Sequence, residues 1–286
     1  MLDIIAKGFR LIASYLEKPG RKYSTHAESV KRTSAKHDML MHPDEPHYAT
    51  QYLYWIKHLI TDLFPGKTAT VLDLGCGQGR LSIPVSEFCK EVIGVDFTPK
   101  SIEMAKYYSS QHDCSNIVFV LSDVLNYVKE SSGSSFDVVL LIEVTIFLPS
   151  YKQVLTEILR ILKPNGVAFI SFRSQYFNIL HSIRNKKWAS AKMAIAQREG
   201  YLWEGNSWFS WHTKEDITSL LTGIGYNQIS CVGIGSCSGI RGDPLEVIAR
   251  PSLLNKWEQK ELLDIEIKLA KSYPETGRYI LAIARK

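Results

Sequence analysis

The chain has 286 residues, 45% of them hydrophobic and 11% aromatic, and a formal net charge of +5. That is ample apolar material for one decorated domain or two small ones, and no apolar run reaches the ~18 residues of a membrane span. Cys76, Cys89, Cys114, Cys231 and Cys237 are odd in number and form no C-x-x-C. This argues against a disulfide framework or zinc knuckle and for a reducing, cytoplasmic setting.

Residues 1–65 are expected to form a helical lid ahead of the core. Leu2, Ile5, Phe9, Ile12 and Leu16 follow helical spacing, predicting an amphipathic helix over residues 2–17. The N-terminus lacks the charged region, apolar run and small-residue site of a secretory signal. Residues 1–37 carry eight Lys and Arg against three Asp and Glu, the whole of the net charge. A basic arm of this size reads first as a solvated face, so nucleic acid is not the expected partner. A second helix is predicted from Ala49 to Leu63.

Val71-Leu-Asp73-Leu-Gly75-Cys76-Gly77-Gln-Gly79-Arg80 is the most informative stretch. A buried strand runs into a turn where side chains must be absent, and a helix over residues 78–88 follows. Glycine permits positive φ and lets a ligand lie against bare backbone, while the helix start offers free N–H groups. Two ligand classes compete. The dinucleotide pattern G-x-G-x-x-G/A needs a small residue where this chain has Arg80. G-x-G-x-G with Asp73 two residues earlier suits S-adenosylmethionine instead, whose amino-acid end carries an ammonium. Glu91-Val-Ile-Gly-Val-Asp96 then reads as a strand ending in an acid able to accept ribose hydroxyls. Phe97 follows and can lie against adenine, and Thr98-Pro99 opens a helix to about Ser109.

With these residues in view, the chain resembles the class I, Rossmann-like S-adenosylmethionine-dependent methyltransferases, in the broad group of the ubiquinone- and menaquinone-pathway enzymes. Asn116-Ile-Val-Phe-Val-Leu-Ser-Asp123-Val124 resembles the third strand and its adenine-contacting acid. Phe136 to Val144 resembles the fourth strand, ending at Ile142-Glu143, and Leu162-Lys-Pro-Asn-Gly166 the tight turn before a fifth strand, Val167 to Phe172. Trp211 to Tyr226 resembles the helix and turn before the sixth. A long helix is expected from Pro251 to Ser272 and a final strand from Tyr279 to Ala284.

The resemblance implies an α/β fold: a seven-stranded, mostly parallel sheet with helices on both faces, the last strand antiparallel. It implies a cofactor-binding core over 66–173, an aromatic cap insertion over 174–211, and completion of the sheet over 212–286. S-adenosylmethionine would be held by Asp73, Gly75, Cys76, Gly77, Arg80, Asp96, Phe97, Asp123, Val124, Ile142 and Glu143, with Cys76 as filler rather than nucleophile. At Asp123 and Glu143 alternatives stay open: Asp123 can simply cap a turn, and Glu143 can act through its carbonyl.

Methyl transfer from a sulfonium is in-line displacement, helped mainly by positioning and exclusion of water. Tyr176, Phe177, Trp203, Trp208 and Trp211 in the cap are candidate acceptor contacts. His212 and His181 are the candidate bases, with His26, His37, His42 and His47 behind them. His212 directly precedes Thr213, the expected N-cap of the next helix with Asp216 in the capping-box place, which locates it near the pocket rim. Many relatives carry E-x-x-x-H after the fourth strand, where this chain has Glu143-Val-Thr-Ile-Phe147. No [D/N]-P-P-[Y/F] follows that strand and no extra aspartate pair stands there, so neither a flipped nucleobase nor a metal is expected. The expected function is transfer of a methyl group to an oxygen or nitrogen of a small organic molecule, in specialised or cofactor metabolism. An RNA or protein methyltransferase using the basic arm, and a cofactor-binding regulator without turnover, are the alternatives.

Overall fold

The computed structural model describes residues 42–202 and 208–286. The helix expected over 2–17, His26, His37 and Trp203 lie outside the described residues. A seven-stranded sheet runs in the order β3-β2-β1-β4-β5-β9-β8. Its strands are β1 (Thr70–Leu74), β2 (Glu91–Asp96), β3 (Ile117–Leu121), β4 (Phe136–Leu141), β5 (Leu162–Arg173), β8 (Asn227–Ile234) and β9 (Tyr279–Arg285). β1 to β5 pair in parallel, while β9 lies antiparallel between β5 and β8.

Burial on both faces explains why the central strands read as nearly continuous apolar runs. Leu72, Leu74, Val139, Leu141, Ala168 and Ile170 share a core with α5 (Tyr151–Ile161), α8 (Lys214–Ile224) and α4 (Val124–Glu130). The alternate residues Val71, Val138, Leu140, Val167 and Phe169 form a second core under α1 (Glu45–Leu63). Period-two alternation along each strand thus feeds two helical layers. In α5 the buried Tyr151, Val154, Leu155, Ile158 and Ile161 keep helical spacing and make one apolar stripe.

β5 begins at Leu162 and takes in the segment expected as a tight turn, with a register shift against β4 between Phe136 and Val138. Three helices also differ from their predicted extents. The helix after the glycine turn is short, α2 (Ser82–Ser86), because Gly77 and Gly79 keep the chain at φ 54° and 85° and delay it. Asn116 ends that segment, donating its amide to the carbonyls of Ser86 and Cys89. The helix expected from Pro251 is a short 3-10 turn, Pro251–Leu253, then α9 (Lys256–Leu269). Asn255 restarts it with a capping box: its side chain takes the Trp257 and Glu258 N–H groups, and Glu258 reaches back. Finally, α1 begins at Glu45 rather than Ala49, with Pro46 in its first turn. The box expected at Thr213 and Asp216 forms and starts α8, and α3 (Pro99–Gln111) follows β2.

Between β5 and α8 stand α6 (Gln175–Arg184), α7 (Trp188–Ala196) and a hairpin of β6 (Glu199–Tyr201) and β7 (Trp208–Ser210). Trp211, Ala194 and Leu202 give this insertion a small core of its own.

Candidate active site

β1 is flanked by β2 on one side and β4 on the other, so the strand order reverses there. Ligands of open α/β sheets sit beyond the carboxyl ends of the strands at such a point. The glycine turn begins at that end of β1. Gly75 and Cys76 donate their N–H groups to the Val95 carbonyl at 2.7 and 3.0 Å, pinning the turn to β2. The glycines have different reasons to be glycine. A Cβ on Gly75 would lie 2.3 Å from the Val144 side chain, so packing excludes it. A Cβ on Gly77 would meet nothing within 4 Å; the space above that φ 54° backbone is open. This bare cradle fits a nucleoside.

Asp96 closes β2 and faces the turn. Its carboxylate accepts the Gly77 N–H at 3.1 Å and the Thr98 N–H at 2.8 Å, one on each oxygen. Each oxygen keeps acceptor capacity for a ribose hydroxyl. Burial raises its pKa and the two backbone donors oppose that. Asp73 is buried and takes the Ser82 hydroxyl, tying β1 to α2; burial pushes its carboxyl up to about 6. Cys76 packs with Ile83, Ile102, Ala105 and Phe119, and burial pushes its thiol well up, which removes it as a nucleophile. Phe97 is half-buried beside Asp96. Asp123 is exposed and caps α4 by accepting the Asn126 N–H at 3.1 Å, while Val124 turns into the core.

Ile142 and Glu143 close β4. Ile142 is buried in the second core, and Glu143 adopts φ 61°, a left-handed conformation rare outside glycine. The Ser171 hydroxyl of β5 accepts its N–H at 2.6 Å and holds the chain in that turn. Its carboxylate takes Arg80 Nη2 at 3.0 Å, and Arg80 also pairs with Glu45 of α1. Burial opposes ionisation of Glu143, but Arg80, with Arg278 and Arg173, outweighs it and holds the carboxyl below its ordinary range. Glu45 moves the other way, raised by burial and by Glu143.

Neither candidate base stands open beside a carboxylate: His212 is enclosed by rings and His181 lies half-buried near arginines. His212 is 3% exposed, with Nε2 3.0 Å from the Tyr151 hydroxyl and the Phe172 ring against it. Position beside a helix cap suggested an open rim; the Trp211–His212 backbone, bonded to Arg198 and Arg173, turns the ring inward instead. Burial, partly opposed by Asp216, pushes its pKa down to about 4. His181 lies on α6 stacked on Phe177; burial and neighbouring arginines push it to about 4.

Of the cap aromatics, Trp211 is fully buried and donates its indole N–H to the Ala194 and Gln197 carbonyls, so it serves the insertion's own core. Tyr176 is exposed, and Trp208 lies half-buried with its ring 6.3 Å from Tyr151. Phe177 is buried and faces the arginines: the Arg173 guanidinium lies 4.0 Å above its ring.

Residues 65–222, more than half of the chain, match the family model of the methyltransferase domain. The chain belongs to that family. It is an S-adenosylmethionine-dependent methyltransferase with the class I, Rossmann-like fold. It is 28% identical over 194 residues to a demethylmenaquinone methyltransferase of Staphylococcus epidermidis, covering 63% of this chain and 76% of that one. It is 29% identical over 174 residues to a ubiquinone biosynthesis O-methyltransferase of Cereibacter sphaeroides, covering 59% and 65%. In fold it is similar to the N-methyltransferase NodS of Bradyrhizobium japonicum, with a TM-score of 0.55, 16% identity and coverage of 92% of this chain and 99% of that one. No helix among the described residues is long and apolar enough to cross a membrane.

Sequence reasoning missed Glu45, Ser171, Arg173 and Arg278. Arg173 and Arg278 had a readable signal: each stands at the end of a predicted core strand, on the side where ligands bind.

Proposed function

We propose that this methyltransferase acts on an oxygen or nitrogen of a small organic acceptor in the cytoplasm, in specialised or cofactor metabolism. The observation that carries the reading is the open glycine turn with the Asp96 carboxylate on one side and an ionised Glu143 on the other. When bound, S-adenosylmethionine supplies a methyl group already activated on sulfonium. Asp96 would take the ribose hydroxyls, the Gly75–Gly79 backbone would lie against the nucleoside, and Ile142 and Glu143 would border the methyl end.

The chain's own chemistry is then mostly positioning. Neither His212 nor His181 is poised to accept a proton near neutral pH: burial pushes His212 down to about 4, and partial burial with neighbouring arginines pushes the half-buried His181 to about 4. An acceptor that arrives as a good nucleophile suits this site, as does one whose developing positive charge falls beside Glu143. The quinone-pathway names of the relatives support a small-molecule acceptor over RNA or protein. Five free thiols support a reducing compartment.

Calorimetry against S-adenosylhomocysteine and NADH tests the cofactor reading. Heat with the former and none with the latter is expected; the reverse overturns it. Transfer of labelled methyl to phenols or amines, but not to RNA, is expected for the acceptor class. Salt-sensitive labelling of RNA would instead bring back the basic arm as a binding element.

A further inference from the structure

Three guanidinium groups surround Glu143, and two have their charges matched. Arg80 pairs with Glu45 and Glu143. Arg278 pairs with Asp243, Nε to Oδ2 at 2.7 Å. Arg173 has no carboxylate within ion-pair distance among the described residues. Its Nε and Nη1 are sealed from solvent and make no hydrogen bond. Its planar face is occupied, by the Phe177 ring at 4.0 Å and the Tyr279 ring at 4.7 Å. Nη2, the donor common to both edges of the fork, has no hydrogen-bond partner among the described residues either, so the Nε/Nη2 and Nη1/Nη2 edges are both unused.

A half-buried cation with two donors shut from solvent and no partner is unfavourable, and a guanidinium fixed between two rings has lost the freedom to find one by moving. The location supplies a reason for it. Arg173 ends β5, the strand next to β4 on the side away from β1 and the glycine turn. Ser171 Oγ binds the Glu143 N–H, so the ends of β4 and β5 are tied together. Opposite Arg173 in register stands Tyr279, at the start of β9, with Arg278 directly before it. Phe177 comes from α6 of the insertion and spans both arginines, 5.9 Å from Arg278. Taking the acceptor site to lie past Glu143, as the proposed function does, the free fork borders the acceptor and not the nucleoside.

We propose that Arg173, supported by Arg278, binds a carboxylate-type oxyanion carried by the methyl acceptor. A guanidinium edge presents two parallel N–H donors matched to the two oxygens of such a group. The Phe177 and Tyr279 rings fix the plane of the fork. The acceptor is thus an acid whose nucleophilic atom reaches back toward Glu143. The other source of the same chemistry is the carboxylate of the cofactor's own methionine end. It is disfavoured because Arg173 stands two strands from β1.

The test uses the full-length protein, with and without S-adenosylhomocysteine, and titrates benzoate and benzamide by calorimetry. Wild type is expected to prefer benzoate by roughly tenfold or more, as for a charge-assisted pair. Arg173→Met should abolish the preference, and Arg173→Lys, which keeps the charge but not the fork, should retain only part of it. Equal affinity for the two probes, or no heat from either, overturns the proposal. The wild-type contrast needs no variant and so stands if Arg173→Met does not fold. S-adenosylhomocysteine and 5′-methylthioadenosine separate the two sources. Arg173→Met should bind both as wild type does; loss confined to S-adenosylhomocysteine assigns the fork to the cofactor and overturns the acceptor reading. A wild type that binds benzoate but no S-adenosylhomocysteine would overturn the cofactor reading alone.

Discussion

Arg80 crosses from the far side of the glycine turn to Glu143 at the end of β4, Nη2 to Oε1 at 3.0 Å, while its other nitrogen holds Glu45. One guanidinium therefore joins the glycine turn, the lip of β4 and the first described helix.

Replacing Arg80 by Met leaves two buried carboxylates facing each other without a cation. A loss of about 3 kcal/mol or more is expected in urea denaturation, because breaking a buried pair strands its partners. Adding Glu143→Gln should restore part of it. The pairing also sets a pH dependence. Glu143 is held below its ordinary value of 4.5, so its share of stability is complete above about pH 4.5 and lost as pH falls through the lower folded value. Arg80→Met should weaken that acid-side loss; an unchanged denaturation midpoint at pH 7 would contradict the account.

Gly75 and Gly77 should respond differently to alanine. Gly75→Ala drives a methyl into Val144 and is expected to destabilise the fold. Gly77→Ala costs about 1 kcal/mol of backbone strain and meets no neighbour, so the fold survives. Its methyl would occupy the cradle, and S-adenosylhomocysteine affinity should drop by roughly tenfold or more. Melting curves with calorimetry separate the two; full cofactor affinity in Gly77→Ala would place the nucleoside elsewhere.

Asp96→Ala removes the acceptor proposed for the ribose hydroxyls. Cofactor binding should weaken by about 1–3 kcal/mol. Because Asp96 also receives Gly77 N–H and Thr98 N–H, some stability should be lost as well. Affinity equal to wild type in a folded variant would take Asp96 out of the site.

His212 should not shape the pH profile of methyl transfer. Its folded pKa is pushed down to about 4 from 6.5, so the unfolded chain takes up the proton first and stability falls as pH drops from about 6.5 toward 4. His212→Gln should flatten that decline while leaving the dependence of kcat between pH 6 and 8 unchanged. Disappearance of a kinetic limb near neutrality in the variant would restore His212 as a base.

What could be read in the sequence was local or periodic. The glycine spacing from Gly75 to Gly79, the acid at Asp96 and the box at Thr213 and Asp216 are each set within a few residues, and all three take the expected form. The mostly parallel seven-stranded sheet with its antiparallel last strand followed from the resemblance carried by those landmarks. The Glu45–Arg80–Glu143 cluster was not legible, because its members meet only when α1 lies across the sheet, 35 and 63 residues from Arg80. For the same reason an aromatic count could not separate Trp211, which fills the insertion's core, from Phe177, which faces charge. Nor could a histidine's place beside a cap reveal that its ring turns inward. Asn255 was within reach: Asn255-x-x-Glu258 is a helix start that outranks a continuous reading from Pro251.

The antiparallel insertion of β9 has a consequence for biogenesis. β5 can reach β8 only through a segment made more than a hundred residues later, so that half of the sheet closes late and through distant contacts. A nascent chain emerging as far as β5 already has its glycine turn and Asp96, whereas Tyr279 and Arg278 are not yet synthesised. On the proposed assignment, nucleoside capture is therefore assembled first, and discrimination among acceptors comes only with closure.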